Sequence, residues 1–123
     1  SNAQRIFTEY ELRHLGLGRQ LDAIYISSDY GFRKPDLRFY RALMEEQGLD
    51  PKNCLMIGND RQTDIAGAKA AGLATLYMHT NITPPQQAEA DPSLLPGKAP
   101  EGCIHFEYEG SDWQELAQLI CDL

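Results

Sequence analysis

Positive charge is scarce in this chain: 11 Lys and Arg stand against 18 Asp and Glu in 123 residues, a formal net charge of −7. A nucleic-acid binder needs a basic face, so that class is set aside. The same deficit means that a site for an anionic substrate must rest on local positive groups or a metal ion, not on a global field. Cysteine is sparse too. Cys54, Cys103 and Cys121 show no metal-ligand spacing, and an odd number of scattered thiols suits a reducing cytoplasm better than a disulfide framework. No apolar run approaches the roughly 20 residues that a bilayer-spanning helix needs. No signal peptide is recognisable, no internal repeat occurs, and no G-x-G-x-x-G marks a dinucleotide site. An initiator Met is missing as well. Ser1-Asn2-Ala3 reads as the scar of a cleaved expression tag, with the domain proper over 4–123.

What is present is enough for one small folded domain, since 42% of the chain is apolar. Gln4–Leu15 reads as a helix with Ile6, Phe7, Tyr10, Leu12 and Leu15 on a rough stripe and Gly16 as its stop. Leu21–Ser27 has strand character. Asp36 caps a helix that carries Phe39, Tyr40, Leu43 and Met44 on one side and ends at Gly48. Cys54–Ile57 reads as a buried strand running into Gly58. A helix of small residues follows through Ile65, Ala66, Ala68 and Ala71 to Gly72. Leu73–Met78 and Cys103–Phe106 are further strands, and a last helix from about Ser111 is expected to bury Trp113, Leu116, Ala117 and Ile120. Strands alternating with helices predict an α/β fold, a parallel sheet with helices on its faces. Five of the seven prolines fall in a Pro-rich loop at 80–102, read as a surface excursion, with a lid as the other reading.

The chemistry concentrates at Gly58-Asn59-Asp60-Arg61-Gln62-Thr63-Asp64, where a strand ends and a helix begins. Ligands of open α/β sheets bind at that end of the strands. Asp60 and Asp64 straddle the turn. Mg²⁺ wants hard oxygen ligands and keeps several waters, so one or two carboxylates and a substrate phosphate suffice for it. Each acid taken alone has a plainer reading: Asp60 as a turn residue, Asp64 as a first-turn acid favoured by the helix dipole. In Arg33-Lys34-Pro35-Asp36, the proline holds Lys34 extended. From there its ammonium can offset the crowding of carboxylates and a phosphoryl group, or it is simply a surface lysine before a helix. Ser27-Ser28-Asp29 reads as a turn.

In order, Ser27-Ser28-Asp29, Lys34-Pro35, Ile57-Gly58-Asn59-Asp60 and Asp64-Ile65-Ala66-Gly67-Ala68-Lys69-Ala70-Ala71-Gly72 resemble the haloacid dehalogenase (HAD) superfamily, over roughly Gln4–Thr80. The resemblance implies a three-layer, Rossmann-like fold, of which this chain is the C-terminal part and whose sheet is incomplete on its N-terminal side. It implies a Mg²⁺-dependent phosphatase of small phosphorylated metabolites, acting through a phosphoaspartate. Lys34 matches the family lysine that holds the phosphoryl group, and Asp64 the second acid of the acidic motif. Asn59 stands where the family often has Asp, which leaves Asp60 or Asn59 as the first metal ligand. Ser1, if native, falls at the Ser/Thr position that binds phosphate. The nucleophile's D-x-D motif occurs nowhere in the 123 residues, so this chain alone is expected to be inactive. The alternative is a non-catalytic ligand-binding or interaction domain on the same fold. The family's nucleophile strand lies beside Cys54–Ile57, and Leu21–Ser27 lies beyond the Ser/Thr strand. An open edge at Cys54–Ile57 is therefore expected, with two copies pairing through it.

Overall fold

The computed structural model describes residues 1–80 and 101–123. Its centre is a three-stranded parallel sheet in the order β1 (Leu55–Gly58), β2 (Ala74–His79), β3 (His105–Glu109). Leu55 faces Ala74 and Gly58 faces Tyr77 across the first pair, and Thr75 faces His105 across the second. Because side chains alternate along a strand, this register sorts the sheet into two faces. On one, Met56 packs with Tyr40 and Met44 of α2 (Leu37–Gln47), Ala68 of α3 (Gly67–Ala70) and Leu73. On the other, Leu55, Leu76, Met78, Phe106 and Tyr108 pack with Leu116 and Ile120 of α4 (Trp113–Cys121). Helix, sheet and helix make three layers, the architecture that the alternating pattern predicts.

The helices α2 and α4 each start on an aspartate that caps them. Asp36 accepts from Arg38 N–H at 2.9 Å, and Asp112 accepts from Gln114 and Glu115 N–H at 3.0 Å, which satisfies amides that the first turn leaves without partners.

Several expectations are corrected. Leu21–Ser27 is not a strand of the sheet. A strand exists only through its neighbours, and here Tyr25–Ser27 meets the N-terminus instead: Ser1 N donates to the Tyr25 carbonyl at 2.5 Å, and Ser27 N–H donates to the Ser1 carbonyl at 2.9 Å. The small-residue helix is split. Arg61–Ala66 forms a π-helical turn and only Gly67–Ala70 is α. The third strand runs two residues later than Cys103. The last helix buries Leu116, whereas Trp113 is 68% exposed and Ala117 is exposed. The helix α1 (Arg5–His14) buries none of its residues. The Pro-rich stretch lies outside the described residues except for Thr80, Glu101 and Gly102.

Candidate functional site

The C-terminal end of β1 carries the acidic turn. Gly58 lets the chain leave the strand directly beneath Asp64. Asp60 turns its carboxylate inward as the cap of the turn that follows, accepting from Gln62 N–H at 2.9 Å and Thr63 N–H at 2.8 Å. Its plainer reading, a turn residue, is therefore realised. One Asp60 oxygen makes both bonds, and the other makes none among the described residues. Asp64 is buried at 6% exposure. It accepts from Asp60 N–H at 3.2 Å, and its other oxygen pairs with the Lys34 ammonium. Lys34 and Asp64, 30 residues apart in sequence, thus share one ion pair. Asn59 sits half-buried on the bend between strand and turn.

Lys34 reaches Asp64 because its backbone is fixed from the N-terminus. The Asn2 amide donates to the Lys34 carbonyl at 2.9 Å and accepts from Lys34 N–H at 2.8 Å; the Lys34–Pro35 bond is cis. Ser27 Oγ accepts from Ala3 N–H at 3.0 Å and donates to the Ala3 carbonyl, and Ser28 Oγ accepts from Arg5 N–H. Ser27 and Ser28 are thus tied to the backbone around the start of α1. Ser1 is brought to the same end as Lys34 and Asp64. Its ammonium is pushed below the ordinary range, first by burial, then by the Lys34 charge, against the pull of Asp64.

Two contributors were not visible in the sequence. Asn2 is indistinguishable from any polar residue before a helix, because its partner is 32 residues away. Tyr40 reads as one residue of an apolar stripe. Its hydroxyl in fact donates to the Thr63 carbonyl at 2.5 Å, with the Asp64 carbonyl 3.2 Å away. An aromatic with a polar tip on a core-facing stripe is the available signal, since a buried Tyr hydroxyl normally finds a partner. His79, at the end of β2, is occupied by Glu107 at 2.9 Å. Arg61 lies over the Tyr77 ring at 4.2 Å from its centroid and reaches Glu107 at 3.6 Å.

Among the described residues, no group of three or more His, Cys, Asp or Glu side chains is arranged so that it could hold a metal ion. The turn offers instead the unused oxygen of Asp60, the Asn59 amide oxygen and the Asp64 carboxylate. These are hard donors in the number that suits Mg²⁺, which retains waters and fills its shell with substrate oxygens.

A family model described as HAD-hydrolase-like matches residues 31–100, the span that carries Lys34, the acidic turn and β2. Over 91 residues the chain is 31% identical to the glyceraldehyde 3-phosphate phosphatase of Methanothermobacter thermautotrophicus, covering 74% of this chain and 39% of that protein. Over 122 residues it is 30% identical to the pyrimidine 5'-nucleotidase YjjG of Escherichia coli, covering 98% of this chain and 48% of that one. The chain therefore spans less than half the length of these relatives. A crystal structure of the HAD-hydrolase YfnB of Bacillus subtilis bound to magnesium superposes with a TM-score of 0.70 at 24% identity, over 98% of this chain and 45% of that one. The sheet order, the lysine–acid pair at its carboxyl end and the matched span agree, and the chain belongs to the HAD-hydrolase-like family.

Proposed function

We propose that this chain is the phosphate- and metal-holding half of a Mg²⁺-dependent phosphohydrolase that acts on a small phosphorylated metabolite. The observation that carries the reading is the pairing of the half-buried Lys34 with the buried Asp64 at the carboxyl end of the parallel sheet. Lys34 holds phosphoryl oxygens with its ammonium, and Asp64 keeps that ammonium aimed. Asp60 and Asn59 would hold Mg²⁺ with oxygens the fold leaves available, and Asp64 would close the set. The ion, when bound, offsets charge on the phosphoryl group. Ser1, if native, would offer its hydroxyl to the same oxygens. The covalent step needs an aspartate in a D-x-D motif, which these 123 residues do not contain, so the nucleophile comes from outside them. The names of the relatives, a phosphorylated three-carbon aldehyde in one and a nucleotide in the other, support a small phosphomonoester as substrate.

A chromogenic phosphomonoester with Mg²⁺ tests this. The 123-residue chain is expected to release no phosphate. The full-length protein containing it is expected to turn over and to lose activity on Lys34→Ala. Release by the 123-residue chain that Lys34→Ala abolishes would place the nucleophile inside it and overturn the division of labour. A full-length protein inert towards every phosphomonoester tried would favour the binding-domain reading.

A further inference from the structure

The turn that presents Asp64 is wound too wide for an α-helix. Ile65 N–H bonds the Asp60 carbonyl five residues back at 3.2 Å, while Asp64 N–H shares the same oxygen at 3.0 Å. At the other end, Gly67 N–H closes on the Asp64 carbonyl three residues back, a 3₁₀-type bond that tightens the exit of the turn. Single π-turns of this kind are uncommon and need outside support. Here the support is Tyr40, which lies on α2 only six residues beyond Lys34 and is 6% exposed. Its hydroxyl donates to the Thr63 carbonyl at 2.5 Å, with the Asp64 carbonyl also in reach at 3.2 Å. The ring lies so close to the next turn that a Cβ on Gly67 would stand 2.7 Å from its Cε2 and hydroxyl.

We propose that the Tyr40 hydroxyl is a positioning group for the site: it locks the wide turn 61–66 and so keeps the Asp64 carboxylate on Lys34. The geometry makes the link specific. One residue of register in a helix turns a side chain by about 100°. A turn that relaxed to α winding would therefore carry the Asp64 carboxylate away from the Lys34 ammonium and from the space under Gly58. Since α2 begins at the Lys34 loop, one side chain ties the lysine-bearing and acid-bearing segments together. The inference rests on the reading that Lys34 and Asp64 work as a pair.

The test reads that pairing directly, by NMR on the 123-residue chain. Lys34→Met is expected to move the Asp64 ¹³Cγ resonance at neutral pH in the wild-type background. In Tyr40→Phe, which keeps the ring and loses the hydroxyl, the same substitution is expected to move it little. p-Aminophenylalanine at position 40, a donor in the same place, restores the effect. A role limited to packing would lower the unfolding temperature in Tyr40→Phe yet leave the Lys34-dependent shift intact, and that result overturns the proposal. Should Tyr40→Phe fail to fold, the wild type decides. A through-bond coupling between Ile65 N and the Asp60 carbonyl carbon, with a slowly exchanging Tyr40 hydroxyl proton, supports the lock, and absence of both overturns it. Turnover plays no part in these readouts, so a negative outcome leaves the phosphohydrolase reading standing, and an inactive full-length protein leaves the Tyr40 lock standing.

Discussion

A Cβ added to Gly58 would stand 2.3 Å from an Asp64 carboxylate oxygen and 2.4 Å from its Cβ and Cγ. The carboxylate cannot yield easily, because one oxygen is held by Lys34 and the other by Asp60 N–H. Gly58→Ala is therefore expected to cost roughly 1–3 kcal/mol, the usual range for overpacking a fixed site, read as a lowered denaturant midpoint with unchanged slope. An unchanged midpoint would mean that Asp64 is free to move aside. Asp60 separates two roles that one carboxylate can hold. Its capping bonds to Gln62 and Thr63 N–H need only one oxygen, which a serine also offers. Asp60→Ala should cost about 1 kcal/mol. Asp60→Ser should keep most of that stability while weakening Mg²⁺ binding as measured by calorimetry. Equal Mg²⁺ affinity in Asp60→Ser would remove Asp60 from the metal set.

At the scale of elements, the β2–β3 ladder carries a charge cluster on the face away from α4. Glu107 receives His79 at 2.9 Å, His105 at 3.4 Å and Arg61 at 3.6 Å, and His105 meets Thr75 Oγ1 at 2.8 Å. Hydrogen bonds from His79, then His105, hold the Glu107 carboxyl below its ordinary value of 4.5. A carboxyl whose titration is depressed by folding contributes stability above its unfolded value and loses it as pH falls through the folded one. Glu107→Gln should accordingly unfold at a lower temperature than the wild type at neutral pH. The two melting curves should converge as pH drops from about 5 towards 3, since the unfolded glutamate titrates near 4.3. A gap that stays constant over that range would show that Glu107 acts by packing and not by charge. The same elements show what the sequence makes legible. The Asp36 cap and the apolar run Leu73–Met78 work locally, within a few residues, so that cap and the central strand follow from spacing. The Lys34–Asp64 pair was reachable because its two motifs occur in a known order. Asn2, Tyr40 and the failure of Leu21–Ser27 to join the sheet depend on partners 23 to 32 residues away, where no local period carries a signal. The π-turn was hidden for a related reason: Ala66, Ala68 and Ala71 suit α winding, and the contact with Tyr40 accompanies a different register.

On the scale of the whole molecule, the described sheet has an open side where the site is. β1 is an edge strand with β2 as its sole described neighbour, and Ile57 on it is 38% exposed. Tyr25–Ser27 and Ser1 make a separate two-segment ladder. Ile6, Phe7 and Tyr10 of α1 are 66–77% exposed, although they form the apolar stripe of that helix. Unpaired strand edges pair with other chains, and exposed apolar patches of this kind bind partners. Backbone groups that end up buried without partners cost about 1–3 kcal/mol each, so several of them rival the roughly 5–15 kcal/mol that hold a small domain together. A second copy relieves both defects without another component. The 123-residue chain is therefore expected to self-associate through β1 at micromolar concentration, seen by light scattering as a mass that rises with concentration. Ile57→Lys places a charge on that edge, a common way to block edge pairing, and should return the chain to a monomer with lower thermal stability. A well-folded monomer that neither concentration nor dilution changes would refute the edge-pairing reading. It would mean that α1 and the N-terminal ladder close over β1 in solution.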